Sequence, residues 1–296
     1  MKFAAIDVGS NAVRLLITKV DSEGMDPVYE KISFVRMPIR LGEDAFIHNN
    51  ISREKISRLV NIMVAFRYLL DAYEPIDYMA CATSAMREAD NREEIISLIK
   101  DKSGIDLKVI SGRKEAKIIY SNHIEKILGN SNSTYLHIDV GGGSTEVILF
   151  NGDDVFAYRS FNIGTIRIIE GIVTKEDWNE MKQWVKNAIR KHKPDNAIGS
   201  GGNINKLFRL SGKKDGTLLQ DTDLKDLNTY LKGFTLEQRI TKLGLRPDRA
   251  DVIVPASKIY YSVMKWGNVT HMHVPQLGLA EGIIHVLYDK HKESYI

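Results

Sequence analysis

Cysteine is almost missing from this 296-residue chain: Cys81 stands alone, so no disulfide can form within it. That fits a reducing compartment. The run Tyr78-Met79-Ala80-Cys81-Ala82 reads as a buried strand, which makes Cys81 a small core residue rather than a reactive thiol. An excess of either charge is also lacking, since 41 basic residues face 38 acidic ones for a net charge of +3. So even a balance supplies no broad field for coating nucleic acid or an anionic membrane. Neither is expected as a partner, and any anionic ligand needs a local site. No uncharged apolar run approaches the roughly 20 residues of a membrane-spanning helix. Phe3-Ala4-Ala5-Ile6 meets Asp7 too soon for a secretory signal, and a soluble cytoplasmic protein is the expectation. Hydrophobic residues at 43% and charged residues at 27% exclude a disordered chain.

What is present is a weak internal repeat. Phe3 to Val20 reads strand, turn, strand through Ile6-Asp7-Val8-Gly9-Ser10-Asn11. Tyr135 to Phe150 reads the same way through Ile138-Asp139-Val140-Gly141-Gly142-Gly143-Ser144-Thr145. A duplicated lobe is the economical explanation. Strands and helices alternate around both copies, which predicts an α/β fold. Helical spacing covers Glu54 to Tyr73, Arg92 to Lys102 with Asn91 as its cap, Glu115 to Leu128, Thr174 to His192, Ile204 to Leu210, Leu224 to Phe234, Asp251 to Met264 and Leu279 to Lys290. Short strands are expected at Tyr78 to Thr83, Leu107 to Ile110, Ala197 to Gly199 and Thr270 to Val274. The repeat places the lobe boundary near Glu125 to Ser133. One lobe then spans residues 1–125, completed by a C-terminal helix over 279–296, and the other spans 126–278.

The strongest chemical signal is Asp139 to Glu146. Three successive glycines after a strand are costly unless backbone must approach something closely or adopt positive φ. Such a turn aims several N–H groups at one point, which suits phosphate oxygens. Ser144 and Thr145 add hydroxyls, and Asp139 and Glu146 are placed to hold a hydrated Mg²⁺. A ligand-free hairpin is the plainer alternative, and the acidic flanks and the second copy argue against it. In that copy Gly9, Ser10 and Asn11 are candidates to grip another part of the same anion, with Arg14 in the next strand. Neither turn is a P-loop or a dinucleotide fingerprint. Arg87, in Ala82-Thr83-Ser84-Ala85-Met86-Arg87, is a bidentate phosphate clamp or a surface ion pair. Glu115, after Ser111-Gly112, is a helix-start carboxylate or a general base. Ser200-Gly201-Gly202-Asn203 closes a turn or receives a nucleotide. His271 and His273 share one strand face but lack a third clustered ligand.

The ordered set of these segments resembles the exopolyphosphatase and guanosine pentaphosphate phosphatase family, within the actin and sugar-kinase superfamily. It also includes Arg40-Leu41-Gly42-Glu43, Arg249-Ala250-Asp251, Gly278-Leu279 and Glu281-Gly282, and it runs over essentially the whole chain. The resemblance implies two ribonuclease H-like (actin-like ATPase) lobes with an interdomain cleft. It implies Glu115 as the general base, with Glu146 also catalytic, and Asp139 and Glu146 at a divalent cation. The phosphate cradle it implies comprises Gly9, Ser10, Asn11, Arg87, Gly141, Gly142, Gly143, Ser144 and Thr145. The implied substrate is inorganic polyphosphate or guanosine pentaphosphate (pppGpp), and a homodimer is allowed. Departures are Lys114, where many relatives carry a second glutamate, and Ala12, in place of a frequent serine. A third is Pro255-Ala256-Ser257, where relatives often carry Pro-Gly-Gly in what is expected to be a loop. Longer relatives continue into a helical C-terminal region, which implies less surface here for tracking a long chain. The rival readings are an ATP-dependent small-molecule kinase and a non-catalytic module that binds nucleotide or alarmone.

Overall fold

The computed structural model describes residues 1–22, 26–122, 133–152 and 154–292. By contact the chain divides into two compact units, Met1–Asn122 with Gly278–Ile296, and His123–Leu277. The expected boundary and the end of the expected Glu115 to Leu128 helix fall largely on residues 123–132, outside the described residues.

The first unit opens with an antiparallel meander of β1 (Lys2–Val8), β2 (Ala12–Asp21) and β3 (Val28–Pro38). Next come α1 (Leu41–His48), α2 (Arg53–Tyr73), β4 (Asp77–Ala82), α3 (Ser84–Glu88), α4 (Arg92–Ser103), β5 (Leu107–Val109) and α5 (Gly112–Tyr120). Sheet order is β3-β2-β1-β4-β5, with β4 and β5 parallel to β1. Asn91 was expected to cap α4 through its side chain. Instead it accepts from Ile51 N–H at 3.1 Å and donates to Ile51 O at 2.9 Å, tying α4 to the loop before α2. The C-terminal helix Leu279–His291 packs on β1, where Leu279, Ile283, Ile284 and Leu287 join Phe3, Ala5, Ile118 and Ile119 in one core. Its crossing with α5 is so close that a Cβ on Gly282 would lie 2.1 Å from Ile118 O.

The second unit repeats the plan. β6 (Tyr135–Val140), β7 (Thr145–Asn151) and β8 (Asp154–Phe161) form the meander. They lead to α6 (Thr165–Ile169), α7 (Lys175–Ala188), β9 (Asn196–Ser200), α8 (Gly201–Leu210) and β10 (Leu219–Gln220). The remainder is α9 (Asp221–Lys232), α10 (Leu236–Thr241), α11 (Pro247–Ala250), α12 (Ile253–Gly267) and β11 (His271–His273). Sheet order is β10-β11-β9-β6-β7-β8, with β6, β9 and β11 parallel. Without β10 this is the first unit's order, so each unit has the ribonuclease H-like topology. Apolar faces of α7, α8, α9 and α12 cover Leu136, Ile138, Val147 and Leu149 of the sheet.

Pro255-Ala256-Ser257 lies within the first turns of α12, not in a loop. Proline is tolerated there because the first helical N–H groups have no intrahelical partner. Ser257 is buried, donates to Val254 O at 2.8 Å and accepts from Asn228 Nδ2 at 2.7 Å. Among the described residues no helix is long and apolar enough to cross a membrane.

Candidate functional site

In the first unit Gly9, Ser10, Asn11 and Ala12 join β1 to β2. Gly9 N–H donates to Ala12 O at 3.1 Å, closing the turn. Asp7, next to the turn, pairs across the strands with Arg14 and forms an ion pair with it. The Ser10 hydroxyl is buried within the unit: it lies 2.8 Å from Ser84 Oγ and accepts from Ala85 N–H at 3.2 Å. This bond anchors the turn to the start of α3. At the end of α3, Arg87 Nη1 donates to Ile110 O at 2.9 Å and to Glu115 Oε2 at 3.0 Å. Glu115 sits in the first turn of α5, whose N-cap Ser111 Oγ accepts from Lys114 N–H at 3.2 Å. Turn, arginine and glutamate are thus linked by consecutive bonds within one unit. Burial and the nearby Asp7 carboxylate push the Cys81 thiol up to about 12, in keeping with an inert core residue.

The second unit carries the copy with more chemistry. Gly141, Gly142, Gly143 and Ser144 form a turn of the same length, closed by Gly141 N–H donating to Ser144 O at 2.9 Å. Its carbonyls are held from behind. Thr165 N–H donates to Gly141 O at 3.0 Å, Ile166 N–H to Gly142 O at 2.9 Å, and Arg167 Nε to Gly143 O at 2.8 Å. The N–H groups of Gly142, Gly143 and Ser144 meet no protein acceptor among the described residues. Backbone N–H groups left open at a turn are donors that an anion can meet. Thr145 is fully buried and donates its hydroxyl to Ile163 O at 2.5 Å, so here it steadies the turn.

Asp139 and Glu146 stand directly opposite each other on β6 and β7. Ser200 lies opposite Asp139 and Ser160 opposite Glu146, so the four form one row across four strands. Ser200 Oγ donates to Asp139 Oδ2 at 2.6 Å, and Ser160 Oγ donates to Glu146 Oε1 at 2.7 Å. Like charges directly opposite in a sheet repel, and Glu146 is only 2% exposed. Such a pair suits a bound cation. Among the described residues no three His, Cys, Asp or Glu side chains form a metal-holding group. Beneath the row, Tyr260 donates to Ser200 O at 2.8 Å and accepts from Val140 N–H at 3.2 Å. Burial, and then the Asp139 charge, hold its phenol well above the usual range, so it stays a donor.

Of the predicted residues, the structure brings Arg87 to Glu115, and Asp139 to Glu146 beside the triple-glycine turn. Sequence reasoning missed Ser160, Gly164, Arg167 and Tyr260. Only Gly164 left a signal, as a glycine at a strand-to-helix junction. A Cβ there would lie 2.3 Å from Gly142 O.

Two ribonuclease H-like units, each with a glycine turn between its first two strands, define an actin-like fold. The model of the Ppx/GppA phosphatase family matches residues 16–291, and the chain belongs to that family. It is similar to exopolyphosphatase 1 of Mycobacterium tuberculosis, with 23% identity over 96% of this chain and 87% of that one. It is 28% identical to a bifunctional 3-dehydroquinate synthase/phosphatase of Fusobacterium nucleatum. That match covers 89% of this chain, which spans only 43% of that relative's length. The solved structure of an exopolyphosphatase from Cytophaga hutchinsonii overlays with a TM-score of 0.86 at 25% identity, covering 98% of both chains.

Proposed function

We propose that this protein removes the terminal phosphate of inorganic polyphosphate by hydrolysis, and that pppGpp is a second substrate of the same phosphoanhydride class. The observation that carries this reading is the row of Asp139 and Glu146 beside three unpartnered turn N–H groups. Membership of a phosphatase family supports it. In this reading the N–H groups of Gly142, Gly143 and Ser144 bind phosphate oxygens. Asp139 and Glu146 hold Mg²⁺, which when bound neutralises charge on the phosphate oxygens. Glu115, oriented by Arg87, takes a proton from water as its oxygen attacks the terminal phosphorus. The bond from that phosphorus to the bridging oxygen breaks, giving orthophosphate and a chain one unit shorter. Positioning and electrostatics supply most of the rate in such reactions, and base assistance about 10²–10⁴-fold.

The test is phosphate release from polyphosphate, pppGpp and ATP at varied Mg²⁺, with product chain lengths resolved. Glu115→Ala is expected to lower kcat by at least about 10²-fold. Wild-type rates in that variant would remove Glu115 from the mechanism. Phosphate transfer from ATP to an acceptor other than water would favour a kinase instead.

A further inference from the structure

Two serines hold the carboxylates from either side, and no part of the reaction above uses them. Ser160 lies on β8 opposite Glu146, and Ser200 ends β9 opposite Asp139. The bonds they donate, 2.7 and 2.6 Å, are in the range of charge-assisted hydrogen bonds. A glutamate has three rotatable side-chain bonds, so an anchored oxygen removes much of its freedom. The Ser200 backbone is fixed in turn by Tyr260. The first unit has no such pair, because Cys81 and Arg36 occupy the matching positions in its row.

We propose that Ser160 and Ser200 are positioning residues for the cation site: each pins one oxygen of a carboxylate, so that Glu146 and Asp139 meet a divalent ion preoriented. This inference rests on the cation reading under Proposed function. Groups that orient metal ligands in this way typically govern about 10–100-fold in metal affinity.

Mn²⁺ binding to the full chain without substrate, followed by electron paramagnetic resonance, provides a readout independent of turnover. Ser160→Ala is expected to raise the half-saturating Mn²⁺ concentration about tenfold, and Ser200→Ala to do the same. Ser160→Thr, which keeps the hydroxyl, is expected to restore wild-type binding and guards against a folding defect. In turnover, the Mg²⁺ requirement should shift by the same factor, while kcat at saturating Mg²⁺ changes far less. A merely structural serine would lower the melting temperature without moving either metal curve. Glu146→Gln separates the two ideas. If it abolishes Mn²⁺ binding while Ser160→Ala and Ser200→Ala bind as wild type does, the serine proposal is overturned and the cation reading stands. If wild type and Glu146→Gln bind Mn²⁺ alike, or neither binds it, both fall together.

Discussion

Gly164→Ala provides a sharp test of how the triple-glycine turn is held. A methyl group at residue 164 would lie 2.3 Å from Gly142 O, 2.4 Å from Gly143 C and 2.5 Å from Gly142 C. Ordinary contact begins at 3.4 Å, so the gap must open by 3.4 − 2.3 = 1.1 Å. Every clashing atom is backbone of the turn itself, and no rotamer change relieves it. If the whole movement fell on the bond from Ile166 N–H to Gly142 O, its 2.9 Å would lengthen to 2.9 + 1.1 = 4.0 Å, beyond hydrogen-bonding range. The turn N–H groups would move with their carbonyls. Overpacking of this kind costs about 1–3 kcal/mol of stability. A misplacement of about 1 Å at a reacting site costs on the order of 10² in rate. Phosphate release and thermal unfolding measure the two effects separately. Gly171→Ala is the control: its φ is +70° and nothing lies within 4 Å of its added Cβ. It should lose about 1–2 kcal/mol through left-handed backbone strain and keep its activity. If Gly164→Ala turned over at the wild-type rate, or both variants lost activity equally, the turn would not be held as argued.

Burial pushes the His137 imidazole down to about 4. The unfolded chain binds a proton below about 6.5 that the native state refuses. This residue's contribution is therefore complete above that pH and declines as pH falls towards 4. Between pH 6.5 and 5 the decline is about 2 kcal/mol. Urea unfolding at the two pH values should show it in wild type and not in His137→Gln, and equal losses would contradict it. With its thiol pushed up to about 12, Cys81 should resist iodoacetamide at pH 8 in the native protein and react in urea, as mass spectrometry would show. Tyr260→Phe removes the hydroxyl that joins Ser200 O to Val140 N–H. It should cost about 1–3 kcal/mol in thermal unfolding and also lower kcat, and an unchanged melting temperature would refute the bridge.

The parts legible in the sequence were those whose residues bury one face or demand a special backbone. Glu54 to Tyr73 shows a strong apolar stripe and forms α2 almost to the residue. Asp139 to Glu146 is legible as strand, turn and strand because three glycines in succession interrupt two apolar runs. The third strand of each meander, β3 and β8, left no readable alternation, because both are edge strands, β3 largely exposed and β8 mostly half-buried, and keep exposed apolar residues such as Phe34 and Val155. Helix α8 was read from Ile204 but begins at Gly201, whose φ of +88° hides the start from propensity arguments. Ser160 and Tyr260 were illegible for another reason. Their partners lie 14 and 60 residues away, and only strand register and helix packing bring them together.

The two turns show how one duplicated framework can take on different electrostatic tasks. Both have four residues between paired strand ends, and both are closed by the same N–H to carbonyl bond. The difference lies in the row beside them. Across the first sheet it reads Cys81, Asp7, Arg14, Arg36, and across the second Ser200, Asp139, Glu146, Ser160. The first aspartate has a built-in counter-ion in Arg14. In the second row a glutamate replaces that arginine and hydroxyls replace the flanking thiol and guanidinium. Each carboxylate of that row accepts a bond from its flanking hydroxyl, Asp139 from Ser200 and Glu146 from Ser160. Three of the four positions in the row thus differ between the copies, while the turn length and its closing bond are kept.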